Sequence, residues 1–174
     1  SQFACAIGAD AVLCVTPYYN RPTQSGLIAS YSAIADAASA PVILYNVPSR
    51  TGTNIEPETY GVLAEHPNIV AIKEANSRLP KMMETFRIVG DRLDVYSGND
   101  DQTLPILAMG GKGVISVLSN VVPVQTVALC EKFFAGDLKG AQKLQLDLLP
   151  LIQALFSQTN PIPAKAALAR MGLI

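Results

Sequence analysis

The chain has 174 residues, which is enough for one domain with its own core. Its 13 lysine and arginine residues nearly balance 14 aspartate and glutamate residues, so the charge predicts no nucleic-acid partner and no anionic membrane partner. Apolar residues make up 49% and charged residues only 16%, yet no apolar run approaches the roughly 18 residues of a membrane span. Such a composition is typical of strands buried on both faces, or of a subunit that buries surface in an oligomer.

The three cysteines are Cys5, Cys14 and Cys130. They follow neither a CxxC pattern nor a Cys/His spacing of the kind that binds metal. We therefore expect no metal site and a reducing compartment, the cytoplasm.

Five short apolar runs predict β-strands. They are Ala11–Val15, Val42–Tyr45, Ile69–Ile72, Leu93–Tyr96 and Gly113–Val117. None of them alternates polar and apolar residues, which favours strands of a parallel sheet that is covered on both faces. A helical pattern follows each run, and successive strands begin about 20–30 residues apart, the length of a βα unit. The sequence therefore predicts an α/β fold with a parallel sheet.

Helical periodicity after the fifth strand predicts two successive helices. Val124, Val127 and Phe134 share one face of the first helix, which we expect to face the core. Asp137 is expected to be the N-cap of a longer helix, because its carboxylate can accept a hydrogen bond from the first turn.

Five βα units are too few for a closed (β/α)₈ TIM barrel, which has eight strands and typically about 250 residues. We expect residues 1–136 to be the last five βα units of such a barrel, about strands 4–8. Residues 137–174 would be an incomplete C-terminal helical extension, and the missing units would precede Ser1.

In parallel α/β sheets, functional residues lie at the carboxyl ends of the strands. Lys73 lies at the end of the third predicted strand. Desolvation there would disfavour the ammonium form and favour the neutral amine, which is the nucleophile of Schiff-base chemistry. The alternative is an ordinary strand-end lysine that reaches solvent or pairs with Glu74.

Other side chains at these strand ends have comparable alternatives. Tyr45 could transfer protons, or its ring could simply pack in the core. Arg50 suits bidentate binding of a carboxylate, but a solvated loop arginine looks the same in sequence. Gly98 would let a ligand approach the backbone, although glycine is also common in turns. Tyr18 and Tyr19 are as consistent with packing or an interface as with catalysis.

Five segments at the strand ends resemble the dihydrodipicolinate synthase family, in the same order and spacing across almost the whole chain. They are Val15-Thr-Pro-Tyr-Tyr-Asn-Arg-Pro22, Leu44-Tyr-Asn-Val-Pro-Ser-Arg-Thr-Gly52, Ile72-Lys-Glu-Ala75, Ser97-Gly98 and Gly113-Val-Ile-Ser116. The first two are specific to the family, and the third is less so. The resemblance implies a TIM-barrel lyase of the lysine-dependent class I aldolase superfamily.

The resemblance also implies a reaction and its catalytic residues. Lys73 would bind pyruvate as a Schiff base and enamine, which condenses with aspartate 4-semialdehyde to give 4-hydroxy-tetrahydrodipicolinate in lysine (diaminopimelate) biosynthesis. Tyr45 would be the proton-relay phenol, and Tyr19 would match a relay tyrosine that family members supply across a tight-dimer interface. No metal or organic cofactor is implied, and a homodimer or homotetramer is expected.

Further residues acquire binding roles through the same resemblance. Arg50 would hold the carboxylate of the aldehyde substrate, Ile115 would offer its backbone to pyruvate, and Gly98 would line the same pocket. Tyr18 would be a remnant of a lysine-feedback site.

Two alternatives to this function stay open. Related aldolases that act on N-acetylneuraminate or keto-deoxy sugar acids share the tyrosine and lysine positions, although the motif around Arg50 favours the synthase. The family's Gly-Thr-Thr-Gly-Glu segment does not occur in this chain, so the second alternative is an inactive fragment that acts as a binding or assembly partner.

Overall fold

The computed structural model describes residues 1–174. The chain forms two compact units, Ser1–Gly98 and Asn99–Ile174. The strands of the first unit are β1 (Val12–Val15), β2 (Val42–Asn46), β3 (Ile69–Glu74) and β4 (Asp94–Ser97). Its helices are α1 (Gln2–Ala6), α2 (Gln24–Ala37), α3 (Pro48–Thr51), α4 (Pro57–Leu63) and α5 (Leu79–Val89), with a 3₁₀ turn at Gly90–Arg92.

The four strands of this unit are parallel and pair side by side in sequence order. Each observed strand lies within two residues of its predicted limits. A helix separates each strand from the next, as parallel strands require. The predicted α/β class with a parallel sheet is confirmed.

The apolar core of the first unit lies between one face of the sheet and three helices. Its buried residues include Leu27 and Tyr31 of α2, Tyr60 and Leu63 of α4, Val89 of α5, and Val42, Leu44, Ile72 and Val95 of the strands. Burying one such large apolar side chain contributes roughly 1.5–3 kcal/mol. This packing fixes the strands, and therefore the positions of the residues at their ends.

The prediction that every strand is covered on both faces is wrong. Leu13 and Val15 of β1 are 45% and 37% exposed, and burial alternates along β2. The physical reason is that the core packs against only one face of the strands. The opposite face carries Tyr45 and Lys73.

The second unit is mainly helical. It contains the short strand β5 (Gly113–Val114) and the helices α6 (Thr103–Ala108), α7 (Pro123–Phe134), α8 (Leu138–Leu155) and α9 (Ile162–Arg170). Two 3₁₀ turns lie at Asp100–Gln102 and Leu118–Asn120. Its core joins Leu118 and Val121 to Ile152, Leu155 and Ala164. The fifth predicted strand is present, but it ends at Val114 rather than Val117.

Two sequence predictions in this unit have opposite outcomes. Asp137 is confirmed as the N-cap of α8, because its Oδ1 accepts a hydrogen bond from the Gly140 N–H at 2.9 Å. The predicted core face of α7 is wrong, since Val124 is 75% exposed whereas Thr126 is buried. The Thr126 hydroxyl donates to the Val122 carbonyl, so this polar residue can be buried within a helix.

None of the helices combines the length and the apolar character needed to cross a membrane. The division into a partial barrel at residues 1–136 and an extension at residues 137–174 stays a prediction.

Candidate functional site

The parallel register places the predicted catalytic lysine and tyrosine side by side. Tyr45 of β2 pairs with Lys73 of β3, and Val15 and Tyr96 continue the same row on β1 and β4. Side chains in one row of a sheet project from the same face. The row lies at the carboxyl ends of the strands, where parallel α/β proteins place their functional groups.

The Lys73 amine lies directly over the ring of Tyr45. Its Nζ atom is 4.2 Å from the ring centroid, within the range of a cation–π contact. Both side chains are partly buried. Burial raises the pKa of the Tyr45 phenol above its ordinary value, and the guanidinium of Arg50 lowers it by a smaller amount. The phenol therefore keeps its proton at neutral pH and can donate it.

The loop after β2 positions Arg50. Val47 is the N-cap of the short helix α3, and Gly52 ends the helix in the left-handed conformation with φ of 65°. The buried Thr51 hydroxyl contacts the carbonyl oxygens of Val47 and Thr53, at 3.2 and 3.0 Å, which holds the turn together. Arg50 is exposed at the end of this rigid turn.

A cavity of about 360 Å³ opens beside this turn. Its lining residues are Leu13, Val15, Tyr18, Tyr45, Val47, Arg50 and Thr51. The structure thus brings Tyr45, Arg50 and Tyr18 together around one space. Lys73 reaches this site through its contact with the Tyr45 ring and does not itself line the cavity.

The loop after β1 contacts the turn that carries Arg50. Arg21 has a positive φ of 42°, and its guanidinium lies against Gly52. A Cβ atom at Gly52 would lie 2.9 Å from Arg21 Nε, so only glycine fits there without a shift. Arg21 has no role predicted from the sequence, although it lies within one of the family-like segments.

Tyr18 and Tyr19 are placed differently from each other. Tyr18 lines the cavity, whereas the Tyr19 side chain is 94% exposed and lies outside the lining. Such an exposed tyrosine within the unit is available to a partner chain.

Gly98 allows the ends of β3 and β4 to approach closely. Its N–H donates to the Glu74 carbonyl at 2.7 Å, and an added Cβ would lie 2.8 Å from the Cβ of Ala75. Ile115 follows β5 directly in the second unit and is partly buried.

From the sequence, Glu74 is predicted only as an alternative partner of Lys73. In the structure, the Glu74 side chain is 3% exposed and accepts hydrogen bonds from Asn46, Tyr60 and Asn76. Burial raises the pKa of this carboxyl to about 7, although the three hydrogen bonds lower it in part. The burial of Glu74 could have been predicted from the alternating side-chain directions along β3, which turn the residue after Lys73 toward the helices.

No group of three or more His, Cys, Asp or Glu side chains is arranged to hold a metal ion. The polar groups of the site are instead an amine, a phenol and a guanidinium.

Fold and site together define an α/β protein with a parallel sheet whose strand ends carry an amine, a phenol and a guanidinium. The chain belongs to the dihydrodipicolinate synthetase family, whose model matches residues 1–174.

Individual relatives agree with this assignment. The 4-hydroxy-tetrahydrodipicolinate synthase of Geobacter sulfurreducens is 54% identical over 172 residues, which are 99% of this chain and 59% of the relative. The crystal structure of dihydrodipicolinate synthase from Thermotoga maritima has a TM-score of 0.97 and 46% identity, over 99% of this chain and 60% of that one. The Acinetobacter baumannii enzyme, solved with pyruvate, has a TM-score of 0.95 and 44% identity, over 98% and 59% of the two chains. The chain therefore spans about three fifths of the length of these relatives.

Proposed function

We propose that the protein containing this chain is a lyase that condenses pyruvate with aspartate 4-semialdehyde through a Schiff base on Lys73. The observation that carries the proposal is the placement of the Lys73 amine over the Tyr45 ring at the carboxyl ends of adjacent strands. Its product would be 4-hydroxy-tetrahydrodipicolinate, the compound for which the relative in Geobacter sulfurreducens is named. A related structure that contains pyruvate supports the choice of the keto acid.

The chemistry follows from the groups at the site. Lys73 attacks the ketone carbon of pyruvate in its deprotonated form, and the carbinolamine loses water to give a protonated imine. Tyr45 donates the proton that the departing hydroxide needs, because its raised pKa keeps the phenol protonated. Loss of a methyl proton to the Tyr45 phenolate then gives the enamine, with the protonated imine nitrogen accepting the electron pair. The enamine carbon attacks the aldehyde, and cyclisation through the substrate's own amine releases Lys73.

Arg50 is proposed to bind the carboxylate of the aldehyde substrate. Its guanidinium stands at the end of a rigid turn beside the cavity that Tyr45 also lines. A planar guanidinium binds a carboxylate through two parallel hydrogen bonds, which fixes the orientation of the substrate. By the family resemblance, the Ile115 backbone would contact pyruvate and Gly98 would line the same pocket.

Assembly is proposed as a homodimer or homotetramer. The 94% exposure of Tyr19 supports a role in which this phenol enters the proton relay of a neighbouring copy. Tyr18 lines the cavity instead and is the candidate for a remnant of a lysine-binding feedback site.

The position of the chain in the whole protein is also a proposal. Residues 1–136 would be the last five βα units of a (β/α)₈ barrel, about strands 4–8, and residues 137–174 would be a helical extension. The free thiols of Cys5, Cys14 and Cys130 support a cytoplasmic, reducing location.

Borohydride trapping tests the function in the intact protein. Incubation with pyruvate and borohydride should reduce the imine and add one pyruvate-derived group, which peptide mapping should place on Lys73. Lys73→Ala should abolish the adduct, whereas the matched control Lys139→Ala, at an exposed lysine of α8, should retain it. An adduct on another lysine would overturn the assignment.

The acceptor is tested separately. Consumption of aspartate 4-semialdehyde by the pyruvate-loaded protein should require Lys73. An adduct without that consumption, together with release of pyruvate from a keto-deoxy sugar acid, would establish the alternative aldolase. A folded protein that forms no adduct would be a binding or assembly partner.

A further inference from the structure

The ends of β2 and β3 are joined by a buried carboxylate on the face opposite to the reactive amine. Glu74 directly follows Lys73, and it pairs in register with Asn46 of β2 and Ser97 of β4. Since Asn46 likewise follows Tyr45, each member of this buried pair is directly adjacent in sequence to a member of the site pair. Any movement of Glu74 therefore acts on the backbone of Lys73.

Every group that contacts the Glu74 carboxylate is a hydrogen-bond donor. The Asn46 side-chain amide donates to its two oxygens at 2.9 and 3.2 Å. The Tyr60 hydroxyl of α4 donates at 3.0 Å, and the Asn76 backbone N–H donates at 2.7 Å. A carboxylate accepts through both oxygens, so its chemistry matches this arrangement. A protonated carboxyl carries one donor, which the Tyr60 hydroxyl can accept, whereas the NH₂ group of a glutamine carries two, and neither the Asn46 NH₂ group nor the Asn76 N–H can accept from them.

The same network reaches the loop that carries Arg50. The Asn46 amide also donates to Asn54 Oδ1 at 2.9 Å, and Asn46 Oδ1 accepts from the Ile55 N–H at 3.1 Å. The Asn76 side-chain amide donates to the same Asn54 oxygen at 3.0 Å. Residues 54 and 55 follow the turn that ends at Gly52, so the network fixes the far side of that turn.

We propose that Glu74 is a positioning residue, which sets the relative placement of Lys73, Tyr45 and the Arg50 turn through the donors that converge on its carboxylate. It acts through the backbone of two strands and one loop, from the face of the sheet opposite to Lys73. The inference rests on the proposed function of Lys73. Buried polar networks whose members are all satisfied hold one arrangement of the backbone, and a displacement of about 1 Å at a reacting group can reduce a rate 100-fold.

The test compares Glu74→Gln with wild type in the intact protein. Glutamine keeps the shape of the side chain but places an NH₂ group among the donors. We expect the rate of imine formation with pyruvate to fall by up to about 100-fold. The affinity for pyruvate should change less, because the residues proposed to contact pyruvate are unaltered.

A donor–acceptor exchange distinguishes positioning from general stability. In the double variant Asn46→Asp/Glu74→Gln, the new amide can donate to the new carboxylate, and part of the rate should return. The control is Val89→Ala, which removes apolar volume from the core of the same unit and has no contact with the Glu74 carboxylate. It should lower the unfolding temperature while leaving the rate of imine formation near that of wild type.

Each outcome decides the proposal. An unchanged rate in Glu74→Gln, an equal rate loss in Val89→Ala, or a double variant no faster than Glu74→Gln overturns the positioning role. If Glu74→Gln does not fold, Tyr60→Phe removes a single donor and should lower the rate in the same direction by a smaller factor. Failure of the underlying function is distinguishable, because wild type would then form no adduct on Lys73.

Discussion

The Nζ atom of Lys73 lies 4.2 Å from the centroid of the Tyr45 ring, on side chains that are register partners in adjacent parallel strands. The two contributions of Tyr45 can therefore be separated, since the ring contacts the amine and the hydroxyl carries the proton. Tyr45→Phe keeps the ring and removes only the hydroxyl. We expect imine formation to slow by about 10²–10⁴-fold, as for loss of a general acid, with little change in the free energy of unfolding. Rapid-quench borohydride trapping measures the rate.

The control for this change is Tyr96→Phe, at the next position in the same row. It removes a phenol from the same face without altering the proposed relay, and it should retain most of the rate. Equal rates for Tyr45→Phe and wild type would show that another group supplies the proton.

Arg50 should affect both the substrate and the Tyr45 phenol. Loss of charge-assisted hydrogen bonds costs about 1.5–3 kcal/mol, so Arg50→Ala should raise the KM for aspartate 4-semialdehyde by about 10- to 100-fold. The same change should raise the pKa of Tyr45, because the guanidinium lowers it in the native site. Steady-state kinetics and ultraviolet titration of the phenol measure the two effects.

Arg50→Lys separates the two effects of Arg50. It keeps a positive charge near the phenol but loses the planar fork, so the KM should rise while the pKa of Tyr45 stays closer to that of wild type. A normal KM in both variants would remove Arg50 from the substrate site.

Gly98→Ala should destabilise the first unit by about 1–3 kcal/mol, the usual range for overpacking. The added Cβ would lie 2.8 Å from the Cβ of Ala75 and 3.1 Å from the Glu74 carbonyl oxygen. Urea unfolding measures the loss. The double variant Gly98→Ala/Ala75→Gly removes the contact with the Ala75 Cβ and should recover part of the stability. If no stability is recovered, the strain lies elsewhere.

The pairing of Tyr45 with Lys73 could be predicted because consecutive βα units place successive strands side by side with their carboxyl ends together. The core face of α7 was wrongly predicted from Val124 and Val127, since the buried positions are Leu129 and Thr126, whose hydroxyl bonds to its own helix. The network around Glu74 left no periodic signal, because its partners come from a strand, a loop and a helix that only the tertiary fold brings together. Strand positions follow from local pattern, whereas polar networks depend on long-range contacts.

Glu74 should also give the protein a measurable dependence of stability on pH. Its pKa is about 7 in the folded state against an ordinary value of 4.5, because burial disfavours the carboxylate. The folded state therefore binds more protons than the unfolded state between these values, and its stabilising contribution, complete below pH 4.5, is lost as the pH rises through 7. At about 1.4 kcal/mol per pH unit, the total is about 3 kcal/mol. Tyr60 is the titratable side chain in contact with Glu74, and burial holds its pKa well above 10, so it stays neutral throughout.

Urea unfolding of wild type and Glu74→Gln at pH 4.5 and 8 should show wild type gaining about 3 kcal/mol relative to the variant at the lower pH. The matched control is the exposed Glu58→Gln on α4, which leaves Glu74 in place and should keep the pH dependence that Glu74 gives wild type. Equal pH slopes for wild type and Glu74→Gln would show that Glu74 titrates as it does in the unfolded chain.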